Sequence, residues 1–89
     1  MASVNVTEFS NAYFADMKEF NKIQNVAAGE TSDTFDGTTR RVRLVADAAV
    51  WFMIDYEPTV SSTTGIYLPA NASLELLVRP NQKIAVVAA

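Results

Sequence analysis

The feature that most constrains the fold is a series of short apolar segments, each ended by turn residues, in the second half of the chain. Segments rich in β-branched and aromatic residues, repeated at roughly ten-residue spacing, are typical of a small all-β sandwich or barrel. Pro58 and Pro69 end two of these segments, because proline has no amide hydrogen to donate to a strand ladder. The predicted strands are 41–45, 48–56, 66–68, 74–78 and 83–88.

The segment 48–56 is apolar on both of its faces. By strand alternation Phe52 and Ile54 share one face, and Trp51 and Met53 lie on the opposite one. A single core covers only one face of a strand, so the other face needs a cover of its own. The pattern therefore predicts a central strand, or a strand covered by another subunit.

Two connections between the predicted strands are short enough for β-hairpins. One is 46–48, and the other is 79–82. In the second connection Pro80 presets φ for a turn, and Asn81 tolerates the left-handed conformation. We therefore expect each connection to join two strands that pair with each other.

The N-terminal third has a mixed pattern. Apolar residues at three- and four-residue spacing fit an amphipathic helix from about residue 10 to residue 24. Residues 3–7 instead have the composition of a strand. We expect a short strand, then an irregular or partly helical segment, then a strand near 24–28. Residues 1–20 are an N-terminal arm or attachment segment in this interpretation.

Length and composition favour one small domain, 1–89, with residues 21–89 as its body. A chain of this size buries only about 60–65% of its unfolded surface, so contact with further subunits is a common source of stability. Charged residues make up 19% of the chain, which is lean compared with about 25% in a typical domain. We predict a mainly β fold, a small antiparallel β-sandwich of jelly-roll-like or Ig-like type.

Charge and residue types argue against several classes of function. The net charge of −3 disfavours binding to a nucleic-acid backbone, which requires lysine and arginine. The densest basic group, Arg40, Arg41 and Arg43, lies at the start of a predicted strand, and we interpret it as a solvated or interface face and not as a phosphate site. The chain has no histidine and no cysteine, so the commonest general base, the main zinc ligand and all disulfides are absent. No apolar stretch approaches the ~20 residues of a membrane span, and the first residues lack a signal-peptide pattern. We expect a non-enzymatic protein made in the cytoplasm, without cofactor, membrane or small-molecule substrate.

Three carboxylates in the polar region 29–39 are the one arrangement that invites a metal hypothesis. Glu30, Asp33 and Asp36 offer the oxygen ligands that calcium prefers. Their spacing matches no calcium-loop pattern, and aspartate in such a turn usually bonds its own backbone. We therefore predict no metal site, and Phe35 is the one apolar anchor of the region.

Three aromatic residues in the second half of the chain leave two hypotheses open. Trp51, Tyr56 and Tyr67 provide rings for a sugar-stacking surface, as in a carbohydrate-binding module. The same residue types are common anchors of protein interfaces, which we favour. The predicted interface residues are Trp51, Met53, Tyr56, Tyr13 and Phe20.

A pattern over residues 38–89 resembles a known group of proteins. It consists of Asp55-x-x-Pro58-Thr59, the step GIYLPA at 65–70, and LELLVRPNQKIAV at 74–86. Together with the strand RVRLV at 41–45, these segments resemble small structural proteins of tailed-bacteriophage virions, of the capsid decoration (cement) type. Asn81 stands where glycine is usual in that pattern, and asparagine also tolerates a positive φ.

The resemblance implies a β-sandwich that binds the outer capsid shell and stabilises it. It implies two partners, further copies of the chain in a homo-oligomer, often a trimer, and the phage major capsid protein. The protein is then made in the host cytoplasm and located on the capsid surface of the virion. Similar small β domains occur in head-tail and tail structures, so a neck or tail location is the alternative.

Overall fold

The computed structural model describes residues 2–10, 20–61 and 63–89, and of residues 20 and 21 only the backbone. Seven strands make up most of this part of the chain, and no helix occurs in it. Every pairing between the strands is antiparallel. The strands are β1 Ser3–Phe9, β2 Phe20–Ala27, β3 Arg41–Ala46, β4 Val50–Asp55, β5 Ile66–Leu68, β6 Ser73–Leu77 and β7 Lys83–Ala88.

The strands form two sheets that enclose one core. The larger sheet has the order β2-β1-β3-β6, and the smaller sheet has the order β5-β4-β7. Side chains alternate between the two faces of a strand, so every second residue points into the space between the sheets. The predicted small antiparallel β-sandwich is therefore confirmed. Its fully buried residues include Val4, Val6, Val26, Val42, Leu44, Val50, Phe52, Leu68, Ile84 and Val86.

Residues 29–35 run along the free edge of β7, and we call them the edge strap. The amide of Gly29 donates to the carbonyl of Val86 (2.7 Å), and the amide of Ser32 donates to that of Ile84 (2.8 Å). Phe35 is 1% exposed and belongs to the core cluster. The strap thus covers a strand edge that would otherwise be open to pairing with other chains. With the strap beside β7, the smaller sheet consists of four extended segments side by side.

The N-terminal third contains the expected strands near 3–7 and 24–28, as β1 and the second half of β2, and it differs in two other respects from the interpretation of the sequence. Residues 20–24 belong to β2, so a helix extending to residue 24 is wrong for that part, and residues 11–19 lie outside the described residues. The ladder to β1 decides the outcome, because cross-strand pairing outweighs a modest helical pattern. In the segment that we expected as an arm, β1 lies between β2 and β3, inside the larger sheet.

Both predicted hairpins are wrong. β3 and β4 lie in different sheets, and so do β6 and β7. The reason is that each pair turns its apolar faces toward each other across the core, so the connection crosses the sandwich instead of closing a ladder. The turn geometry itself is as predicted, since Asn81 has a φ of 68°. The first crossing is held by Asp47, whose carboxylate accepts a hydrogen bond from the Ser3 amide (2.7 Å), which lowers the pKa of Asp47.

Candidate protein-binding face

The outer face of the smaller sheet carries a patch of large apolar side chains. The patch arises because alternate residues of β4, beginning with Trp51, point away from the core. Its cross-strand rows are fixed by the register of β4 with its two neighbours. We call this surface the aromatic face and define it as Tyr67, Trp51 and Val87 in the first row, Met53 and Ala85 in the second, and Asp55 and Lys83 in the third.

Two aromatic rings meet in the first row of the aromatic face. The ring centroids of Trp51 and Tyr67 are 5.1 Å apart, and the ring planes are tilted by 59°. Trp51 is half-buried, and Tyr67 is 48% exposed. The tilt means that the two rings do not present a single flat surface of the kind that sugar stacking uses. They do present a fixed, partly desolvated anchor of the kind that protein interfaces use.

The loop before β5 packs against the base of Trp51. Gly65 lies at the contact, where an added Cβ would stand 2.7 Å from Cγ2 of Val60 and 3.0 Å from Cβ of Trp51. Only glycine leaves room for this approach of loop and strand. The loop therefore packs closely against the base of the tryptophan side chain.

Gly65→Ala is expected to lower the free energy of unfolding by about 2 kcal/mol, because the new methyl group overpacks this contact. Gly37→Ala is the matched control, since an added Cβ there meets nothing within 4 Å. We expect the control to change stability by less than about 0.5 kcal/mol. Urea unfolding of both variants measures the difference, and equal stability of the two would contradict the packing described for Gly65.

The outer face of the larger sheet is more polar than the aromatic face. The positions that alternate away from the core on its four strands are mainly polar or charged. The contrast shows that the apolar surface of the aromatic face is not a general consequence of the composition. The outward polar residues of the larger sheet include Asn5, Thr7, Asn25, Arg43, Ser73 and Glu75, and its outward apolar residues include the exposed Ile23 and Leu77, the buried Phe9 and the half-buried Ala27 and Val45.

The predicted interface residues fall in three places. Trp51 and Met53 are both half-buried on the aromatic face. Tyr56 follows the end of β4, is 49% exposed, and lies beyond the third row. Tyr13 and the side chain of Phe20 lie outside the described residues. Sequence reasoning missed Val87 as a member of the face, because membership depends on the register between β4 and β7.

A buried carboxylate lies on the core-facing side of β1, near its end. Glu8 is 0% exposed, and one carboxylate oxygen accepts hydrogen bonds from the Asp36 amide (2.8 Å) and the Thr39 hydroxyl (2.9 Å). The other oxygen accepts one from Nε2 of Gln24 (3.1 Å). Because it is enclosed and bonded to three neutral donors, Glu8 fastens the region after the edge strap to the larger sheet. Strand alternation from Val4 was the signal that could have placed it inward.

Arg41 is also buried, although the sequence suggested that the arginines at the start of β3 form a solvated or interface face. It is 0% exposed and forms an ion pair with Glu75 on the neighbouring strand. Its guanidinium carbon lies 4.0 Å from the ring centroid of Phe9, a cation–π contact. The prediction of a solvated side chain is therefore wrong for Arg41, while Arg40 and Arg43 are exposed.

The loop carboxylates have the local role expected of aspartate in turns. The carboxylate of Asp36 accepts hydrogen bonds from the amide (3.0 Å) and the hydroxyl (3.1 Å) of Thr38, which lower the pKa of Asp36. Within residues 2–10, 20–61 and 63–89, no three acidic, histidine or cysteine side chains are grouped to hold a metal ion. A polar cleft between β2 and the edge strap has a volume of about 170 Å³, below the range of about 300–1,000 Å³ for ligand pockets.

The described part of the chain contains no helix that is long and apolar enough to cross a membrane. Comparison with family models, with curated proteins and with solved structures finds no match to the chain.

Proposed function

We propose that this protein is a non-enzymatic structural component of a bacteriophage virion, a capsid decoration protein that binds the outer shell and stabilises it. The observation that carries the proposal of a protein-binding role is the contrast between the two outer faces of the sandwich. One outer face is mainly polar, and the other presents Trp51, Met53 and Val87 beside the exposed ring of Tyr67. Apolar surface grouped in this way is typical of a protein contact site.

The virion setting of the proposal rests on the pattern in residues 38–89 that resembles phage decoration proteins. Three further properties agree with an assembly role. The chain folds without cysteine, its enclosed carboxylate Glu8 is bonded within the protein, and its polar cleft is small. A decoration protein needs stable contacts with other proteins and no catalytic group.

Purified phage particles test this proposal directly. Mass spectrometry of gradient-purified particles should detect the protein in many copies, and gold-labelled antibodies should bind the surface of the head in electron micrographs. Antibody label confined to the neck or tail would instead favour the head-tail or tail location. Absence of the protein from purified particles would contradict the virion assignment.

A further inference from the structure

We propose that the aromatic face binds a second copy of this chain about a two-fold axis, which runs parallel to the strands and midway between β4 and β7. The inference rests on the proposed role of this face as a protein contact, and it does not depend on the virion setting. Three properties of the face support it: its width about the midline, the sizes of its side chains and the position of its charges.

Within one copy, the aromatic face has two extended segments on each side of the proposed axis. β5 and β4 lie on one side, and β7 and the edge strap lie on the other, joined through the pairing of Thr31 with Ala85. A two-fold rotation places β4 over β7 of the second copy and β5 over its strap. An interface of this kind must be complementary to itself, which requires such a balanced surface.

Side-chain sizes are complementary across the same midline. On β4 the outward residues are large, Trp51 and Met53, and their cross-strand partners on β7 are small, the half-buried Val87 and Ala85, which is 5% exposed. The rotation places Trp51 over Val87 of the partner subunit and Met53 over Ala85 of the partner subunit. Each large side chain then meets a small one, which permits the close packing found at interface cores.

The charges of the third row favour an axis between β4 and β7 over an axis along either strand. Asp55 and Lys83 are cross-strand partners, and within the described part of the chain neither forms a salt bridge. The proposed rotation places Asp55 over Lys83 of the partner subunit, and the converse contact repeats it. An axis along β4 would instead bring two aspartates together, and an axis along β7 would bring two lysines together. Like charges in an interface suppress the wrong arrangement.

The size of the face predicts a dimer that depends on concentration. The face consists of four extended segments, β5, β4, β7 and the edge strap. At about 4.8 Å between segments and about 3.3 Å rise for each of six residues, it measures about 19 by 20 Å. This footprint is small beside the about 800 Å² that each partner buries in a standard interface. We therefore expect monomer and dimer to exchange when the purified protein is diluted.

The two-fold arrangement differs from the trimer that the resemblance implies. Two sheet faces cover each other only in pairs, because a three-fold ring joins each surface patch to a different patch on the next copy. If the aromatic face packs on its own equivalent, the oligomer in solution is a dimer. The measured mass therefore separates the two arrangements.

Charge reversal tests the geometry of the proposed dimer. Sedimentation equilibrium of the purified protein should show a species of twice the monomer mass of 9.7 kDa. Asp55→Lys and Lys83→Asp should each weaken the dimer about tenfold or more, because each creates two like-charge contacts. An equimolar mixture of the two variants should recover the dimer, since the mixed pair has opposite charges at both contacts.

The controls separate geometry from net charge and from folding. Arg79→Asp makes the same charge change as Lys83→Asp at an exposed position away from the aromatic face, and the double change Asn25→Lys/Ser73→Lys adds the same charge as Asp55→Lys on the outer face of the larger sheet. Both controls should leave the dimer affinity within about twofold of the original. The double variant Asp55→Lys/Lys83→Asp should dimerise like the original chain. A monomeric or trimeric original chain, or a mixture that fails to recover the dimer, would overturn the proposal. Because the experiment uses purified protein alone, its outcome is independent of whether the protein is found on phage particles.

Discussion

Glu8→Ala is expected to lower the free energy of unfolding by about 3 kcal/mol, although the residue is a charged side chain at the end of a strand. The carboxylate is fully enclosed and accepts hydrogen bonds from Asp36, Thr39 and Gln24. Removing it deprives the buried Thr39 hydroxyl and the partly buried Asp36 amide and Gln24 side chain of this acceptor, and a hydrogen bond lost at a buried group costs about 1–3 kcal/mol. Urea unfolding monitored by circular dichroism measures the change.

Glu30→Ala is the control for Glu8, because Glu30 is an exposed carboxylate in the same part of the chain. It should change stability by less than about 0.5 kcal/mol. Glu8→Gln should fall between the two variants, since its amide keeps one acceptor and the shape of the side chain. If Glu8→Ala proves as stable as Glu30→Ala, the hydrogen-bonded cluster does not hold the region after the edge strap.

Phe35→Ala is expected to have the largest effect on stability, about 4 kcal/mol. Phe35 is 1% exposed within the core cluster, and loss of a buried phenylalanine side chain typically costs about 3–5 kcal/mol. Its ring also holds the edge strap to the sandwich, where the backbone bonds of Glu30 and Ser32 cover β7. Removing the ring should therefore release the strap as well as open a cavity.

Two measurements check this expectation for Phe35. Urea unfolding should show the loss of stability, with Thr34→Ala, an exposed neighbour in the strap, as a control within about 0.5 kcal/mol. Hydrogen exchange should be faster at the amide of Val86, which donates to the carbonyl of Glu30 (3.1 Å). Equal stability of the two variants, or unchanged exchange at Val86, would contradict the anchoring role of Phe35.

The second half of the chain shows how much of the fold the sequence predicts. The predicted strand 66–68 coincides with β5, and the predicted strand 83–88 coincides with β7. These strands are predictable because side-chain alternation and the turn residues are local signals. The alternation of 48–56 likewise placed Phe52 and Trp51 on opposite faces, and in the structure Phe52 is buried in the core while Trp51 lies on the outer face.

The pairing of the strands could not be predicted in the same way. Connections of three or four residues serve a hairpin and a crossing between two sheets equally well, and only the meeting of distant apolar faces decides between them. The position of the edge strap beside β7 could not be predicted either. Backbone amides such as those of Gly29 and Ser32 hold the strap to β7, and backbone bonds leave no pattern of side chains in the sequence. Polar side chains there indicated a loop, and a loop composition is compatible with covering a strand edge.

The candidate interface was predictable only in part. The apolar outward face of β4 marked Trp51 and Met53 from the sequence alone. The partners of these residues, Val87 and Ala85, follow from a register that joins positions more than thirty residues apart. The pairing of Asp55 with Lys83, on which the proposed symmetry depends, has the same non-local origin.

The fluorescence of Trp51 tests the central claim most directly, because it is the chain's single tryptophan and lies between Tyr67 and Val87 in the first row of the aromatic face. If a second copy covers the face, the emission maximum should move to longer wavelength as the protein is diluted through dissociation. Asp55→Lys should show the longer wavelength at concentrations where the original chain does not. An emission maximum that stays constant over the whole concentration range, and is the same in both proteins, would contradict the account.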